Sequence, residues 1–311
     1  MDAVGYAGAP MPHQPTLAAR PSWLPICALL LNAFIWGVSW WPFRWLSERG
    51  LHSLWATAAI YGVAWLLVMT RSPGPTLAAL AQPGLLALAL ASGITNACFN
   101  WGVATGDVVR VVLLFYLMPV WAIALARLLL GEALRPLPIG LALLAIGGAV
   151  IVLWRPGAGL PLPESRADWL GLCGGIGFAL TNVLLRRHSN ASPRARAGAM
   201  FAGGTVLPAV LATGIGLSGQ GGVPWPALAP GALGPLALLA LAFVAANLAL
   251  QHGASRLPAR VTAVVMLSEV VFAAGSAVWI GGEALTPRML AGAALIIGAS
   301  LISALSAEPA S

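Results

Sequence analysis

The sequence has no lysine, and Asp, Glu and Arg together supply only 8 % of its 311 residues. A soluble domain carries roughly 25 % charged residues. A chain so poor in charge cannot cover a water-facing surface, so most of its surface must face lipid. Cysteine is scarce as well. Cys27, Cys98 and Cys173 all sit in apolar runs with no CxxC spacing, so they read as small packing residues rather than a zinc or redox site. The four histidines, His13, His52, His188 and His252, never pair at i+4 with another metal ligand, and no Walker loop, HExxH or GxSxG occurs. These absences argue against metallohydrolase chemistry and against ATP-driven transport by this chain alone. No catalytic residue, metal or cofactor is expected. The first 22 residues lack a strong apolar stretch and read as a disordered cytoplasmic tail rather than a signal peptide.

What is present is apolar: 59 % hydrophobic residues and a mean hydropathy of +0.88. The net charge of +7 comes from sixteen Arg residues placed mainly between apolar runs. That is how membrane proteins set orientation, whereas nucleic-acid binders gather basic charge into a patch, so no nucleic-acid partner is expected.

Ten runs approach the ~20 residues that cross a bilayer: 24–43, 52–70, 83–104, 108–130, 136–154, 168–187, 197–217, 231–252, 260–281 and 287–306. In lipid every backbone polar group needs an internal partner, so these runs are predicted to be helices. Gly- and Pro-rich joints at 71–75, 155–163 and 219–226 separate them. With the N-terminus cytoplasmic, ten Arg residues (20, 71, 127, 135, 186, 187, 194, 196, 256 and 260) fall on the inner side and six (44, 49, 110, 155, 166 and 288) on the outer. This bias predicts that both termini are cytoplasmic, in a multi-pass inner (plasma) membrane protein.

Residues 96–151 lie over residues 247–302 without a gap, at an offset of 151. Gly131-Glu-Ala-Leu134 meets Gly282-Glu-Ala-Leu285, Pro136 meets Pro287, and Asn96 and Asn100 meet Asn247 and Gln251. Five runs per half invert the second copy across the membrane. The predicted fold is thus all-α: ten transmembrane helices as two inverted five-helix repeats, 23–155 and 168–306, with a linker at 156–167 and a C-terminal tail at 307–311.

The segments Val111–Trp121 with Leu130-Gly-Glu132, and Val264–Phe272 with Gly281-Gly-Glu283, resemble the fourth and ninth helices of EamA-type members of the drug/metabolite transporter superfamily. That family often has Glu-Pro in the ninth helix; here Val270 follows Glu269. The resemblance runs from about 24 to 306 and implies ten helices, a central cavity, and export or exchange of small metabolites such as amino acids.

Several side chains are candidate substrate contacts. Glu269 lies mid-helix, where a carboxylate is costly, so it is a candidate for substrate binding and proton coupling; the alternative is a protonated interhelical donor. Asn96 with Asn100, and Asn247 with Gln251, each have i, i+4 spacing, and either line a polar chamber or bond between helices. Asn32 and Trp36 share a face of the first run with Trp40, and Phe178, Thr181 and Asn182 take the corresponding place in the sixth. Trp36 either lines the cavity or belongs to the interfacial aromatic belt. Tyr116 sits beside Pro119, which is a hinge candidate or a tolerated kink. Asp107 and Arg110 read as a structural pair, with Asp107 complementing the helix dipole. Glu132 and Glu283 read as satisfying local backbone groups in matching turns.

The function these features point to is a secondary transporter moving small metabolites, amino acids or related compounds, by alternating access in the export direction. Exchange without proton coupling fits equally well. The alternative substrates are lipophilic or cationic drugs, which the tryptophans suit. Outside transport, the alternatives are an integral membrane enzyme, for which clustered acid, base or metal ligands are missing, and a non-transporting scaffold or receptor. The partners are a small-molecule substrate, the bilayer and, if Glu269 titrates, protons.

Overall fold

The computed structural model describes residues 23–306 apart from 72, 134, 155–161, 220–221 and 228. The expected tails at 1–22 and 307–311, and the linker up to 161, lie outside the described residues. Among the described residues every regular element is helical, and ten helices are long and apolar enough to cross a membrane. In chain order they are α1 (Trp23–Glu48), α2 (Ser53–Thr70), α3 (Pro83–Thr105), α4 (Val108–Leu130), α5 (Pro136–Leu153), α6 (Arg166–Arg187), α7 (Pro193–Ser218), α8 (Leu233–Ala254), α9 (Val261–Trp279) and α10 (Pro287–Ser306). Each coincides with an apolar run, and the shifted starts have local causes. At α6, Ser165 and Asp168 form a capping box, each side chain bonding the other's backbone amide. At α7, the Ser192 side chain accepts from the Ala195 amide, so the helix begins at Pro193 rather than 197.

Three spans are discontinuous. α1 splits into Trp23–Val38 and Trp40–Glu48. α4 splits into Val108–Phe115 and Met118–Leu130, and α9 into Ala259–Met266 and Ser268–Trp279. The first segments of α4 and α9 begin and end at positions related by the offset of 151. Tight i→i−3 bonds mark both breaks: Leu117 to Leu114 and Val120 to Leu117 in α4, Leu267 to Val264 and Val270 to Leu267 in α9. Pro119 occupies the first turn after the α4 break. α9 breaks without a proline, so Val270 in place of the family's Pro does not leave that helix straight.

The helices interleave across the two halves. α3 packs on α6 and α7, α8 on α1 and α2, α4 on α6, α9 on α1, α5 on α10 and α2 on α7. Exchanging the halves maps each of these pairings onto one that is present. Close approach rests on glycine: a Cβ at Gly203 of α7 would lie 1.8 Å from the Ala89 carbonyl oxygen of α3. Without side chains between them the backbones meet, which compensates for the lack of a hydrophobic drive in lipid. Two of the three cysteines, Cys27 and Cys173, are exposed on the outer surface rather than packed.

Candidate functional site

The α4 and α9 breaks face each other. The Tyr116 hydroxyl, at the α4 break, lies 3.4 Å from Glu269 Oε2 and 3.5 Å from the Met266 carbonyl oxygen at the α9 break. These are long contacts for hydrogen bonds, and Glu269 is half-buried. Across from it, Gly37 of α1 has only a hydrogen where a Cβ would lie 2.8 Å from the Glu269 carbonyl oxygen. That absence lets α1 close on α9 beside Trp36. Among the described residues Glu269 is the one charged side chain away from the first or last five residues of its span.

An aromatic wall continues from this point. The Trp36 ring lies 4.8 Å from Phe243 and 6.1 Å from Phe99; Phe99 lies 4.7 Å from Phe115, and Phe115 lies 5.5 Å from Phe178. Trp36 therefore packs between helices of both halves. Trp40, on the same face one turn on, is buried and donates its indole N–H to Ser276 Oγ at 2.9 Å, joining α1 to α9.

The carboxamides divide. Asn32 is buried and donates to the Ala246 carbonyl of α8 at 2.8 Å, and its own oxygen has no partner among the described residues. Asn96 accepts a short hydrogen bond from the Tyr61 hydroxyl and donates to the Ser92 carbonyl. Asn100 is fully buried and donates to Thr57 Oγ1 at 3.0 Å. This helix-3 pair is thus engaged by α2. Asn247 is half-buried and turns back on the Phe243 carbonyl, while Gln251 is exposed. Asn182 is also exposed and bonds its own helix at Phe178. The four symmetry-related carboxamides therefore do not form one shared cluster.

Two expectations about charged groups need correction. Asp107 is not the ion-pair partner of Arg110: its carboxylate caps α4 by accepting the Arg110 backbone amide at 2.8 Å. The Arg110 guanidinium instead forms a bidentate pair with Asp168 of α6, at 2.7 and 2.8 Å. Glu283 does satisfy backbone amides, but distant ones, Val108 and Val109 at the start of α4. Glu132 pairs with Arg186 rather than with backbone amides. Burial pushes the Glu283 carboxyl above its ordinary value, against the amide bonds that favour its ionised form.

The sequence reading passed over Arg44 and Asp168. Arg44 donates to the carbonyls of Ala104 and Gly106 at 3.2 and 2.8 Å and lies 3.9 Å from Glu283. Its partners are remote in sequence, so no local signal marked it. Asp168 did have one, the Ser165-x-x-Asp168 capping pattern.

Residues 23–154 match the EamA-like transporter family. This segment belongs to that family. Together with the ten spanning helices it supports an EamA-type drug/metabolite transporter, a multi-pass membrane protein. A solved crystal structure is similar to this chain at a TM-score of 0.54 and 17 % identity, over 90 % of this chain and 96 % of that one; this likeness bears on fold alone. No curated protein matches the chain.

Proposed function

We propose that this EamA-type protein is a secondary transporter of small metabolites that binds its substrate where the α4 and α9 breaks meet. The reading rests on one observation: Tyr116 and Glu269 face each other across two broken helices of different halves. A mid-helix stretch tightened into i→i−3 turns often marks a hinge, and the backbone groups it frees must be buried by protein or line a cavity. Glu269 supplies a carboxylate for a substrate amine or a proton. Trp36 and the neighbouring phenylalanines supply apolar walls, and Asn182, Asn247 and Gln251 supply polar contacts on the side toward which α6 and α8 end. The pairing of helices across the halves, with the offset of 151, supports an inverted repeat and alternating access. Both termini are cytoplasmic on this reading, and the transport direction is export of amino acids or related compounds.

The test is Glu269→Gln in proteoliposomes. Expression is expected to stay normal while pH-driven transport is lost; unchanged pH-driven uptake rejects Glu269 as the coupling group. The aromatic wall beside a carboxylate with no mid-span cation among the described residues favours a second reading, export of lipophilic cations. Counterflow of amino acids against ethidium-like cations separates the two.

A further inference from the structure

The two Gly-Glu turns have the same build. Gly131 and Gly282 both take left-handed backbone, at φ +70° and +67°. The Glu132 amide bonds the Ala126 carbonyl and the Glu283 amide bonds the Ala277 carbonyl, again positions 151 apart. Each turn therefore presents its glutamate from the end of a broken helix in the same way. The chain direction puts them on opposite membrane faces, because α4 and α9 run antiparallel.

Their engagement differs. Glu283 reaches into the other half and accepts the Val108 amide at 3.1 and 3.2 Å, satisfying donors that the start of α4 leaves open. Arg44 grips the carbonyls at the end of α3 beside it. The α3–α4 corner is so held from both termini, with the Glu283 side chain only 14 % exposed. The offset of 151 carries Glu283 to Glu132 and Val108 to Ala259, the first residue of the Ala259–Met266 segment. Pro258 stands at the cap position there and supplies no side-chain cap. Glu132 instead pairs with Arg186 at the end of α6, with 43 % of its side chain exposed. The Arg pairings are themselves related. Arg44 ends the first helix of one half and meets the glutamate of the other; Arg186 ends the first helix of the second half and meets the glutamate of the first.

We infer that Glu283 and Glu132 are alternating latches: Glu283 caps the start of α4 in the state seen here, and in the opposite state it lets go while Glu132 leaves Arg186 to cap the start of α9. The inference deepens the alternating-access reading and rests on it for the existence of a second state. The charge-assisted cap bonds favour whichever face is closed, and an ion pair as exposed as Glu132–Arg186 opens at little cost.

The test is distance measurement between spin labels on full-length protein in lipid, with the native cysteines replaced by alanine. One label pair is Thr105→Cys with Ala284→Cys, on the Arg44 face. The other is Ala133→Cys with Arg256→Cys, the equivalent positions on the Arg186 face. Glu283→Ala is expected to lengthen the first distance and shorten the second, and Glu132→Ala to do the reverse. Two distributions that both ignore these substitutions, or that lengthen together, overturn the inference. If Glu283→Ala does not fold, Glu132→Ala decides alone, because its carboxylate lies outside the packed interior; an unchanged distribution in that variant is the overturning result. No substrate is needed, so latches that exchange without any solute flux refute the transport reading and leave this one standing.

Discussion

Arg110 and Asp168 show how much a single buried pair governs at the α4–α6 contact. Their side chains are 12 % and 3 % exposed, so removing one partner leaves the other's charge unpaired and largely covered by protein. Arg110→Ala is expected to cost about 3–5 kcal/mol, and adding Asp168→Ala to recover part of that loss, since the stranded charge is then gone too. Thermal unfolding in detergent measures both. His52 makes a pH prediction. Its Nδ1 accepts the Leu54 amide, and burial, with the Arg166 charge second, lowers its pKa from 6.5 to about 4. The folded state therefore holds it neutral. Its stabilising contribution is complete above pH 6.5 and is lost as pH falls toward about 4. The melting temperature is expected to drop across that window, and less steeply in His52→Gln. At this scale the sequence revealed only residues whose chemistry clashes with their surroundings. Glu269 stood out because a carboxylate in mid-span is costly. Arg44 did not, because an Arg near a helix end suits topology equally well and its carbonyl partners lie some sixty residues away.

At the scale of the helix, the apolar runs fixed number and position closely, because backbone hydrogen bonding in lipid leaves no other regular structure for such segments. The breaks were less visible. Pro119 pointed to one, but the equivalent break in α9 has no proline and no sequence cue. It follows from packing against α1 and α4, where Gly37 and Tyr116 meet its backbone. Helix contacts make a sharper prediction. Gly203→Ala places a Cβ 1.8 Å from the Ala89 carbonyl oxygen, so α7 must move off α3. We expect loss of monodisperse protein on size exclusion. Gly140→Ala, with nothing within 4 Å of the new Cβ, is expected to behave as the parent. If the breaks bend during transport, Pro119→Ala slows substrate flux at least tenfold while binding is retained, as paired binding and flux assays on one preparation would register.

For the whole molecule, arginine placement predicts an orientation, and a cysteine scan tests it. In right-side-out vesicles Glu48→Cys should react with an impermeant maleimide and Gln251→Cys should not; the reverse pattern rejects cytoplasmic termini. Composition and hydropathy by themselves determined that the chain is a ten-helix membrane protein, since solvent chooses between exposed and apolar surface with little regard to partners. The gapless offset of 151 likewise came from sequence, because each copy keeps its own helix ends and turns. The tertiary structure alone decided which helices of one half meet which of the other. It alone sent Arg110 to Asp168 rather than to Asp107, and brought the Tyr116 and Glu269 breaks together. Those choices depend on close backbone contact and on hydrogen bonds between residues as many as 236 apart, as between Trp40 and Ser276. No local pattern in the chain encodes contacts of that kind.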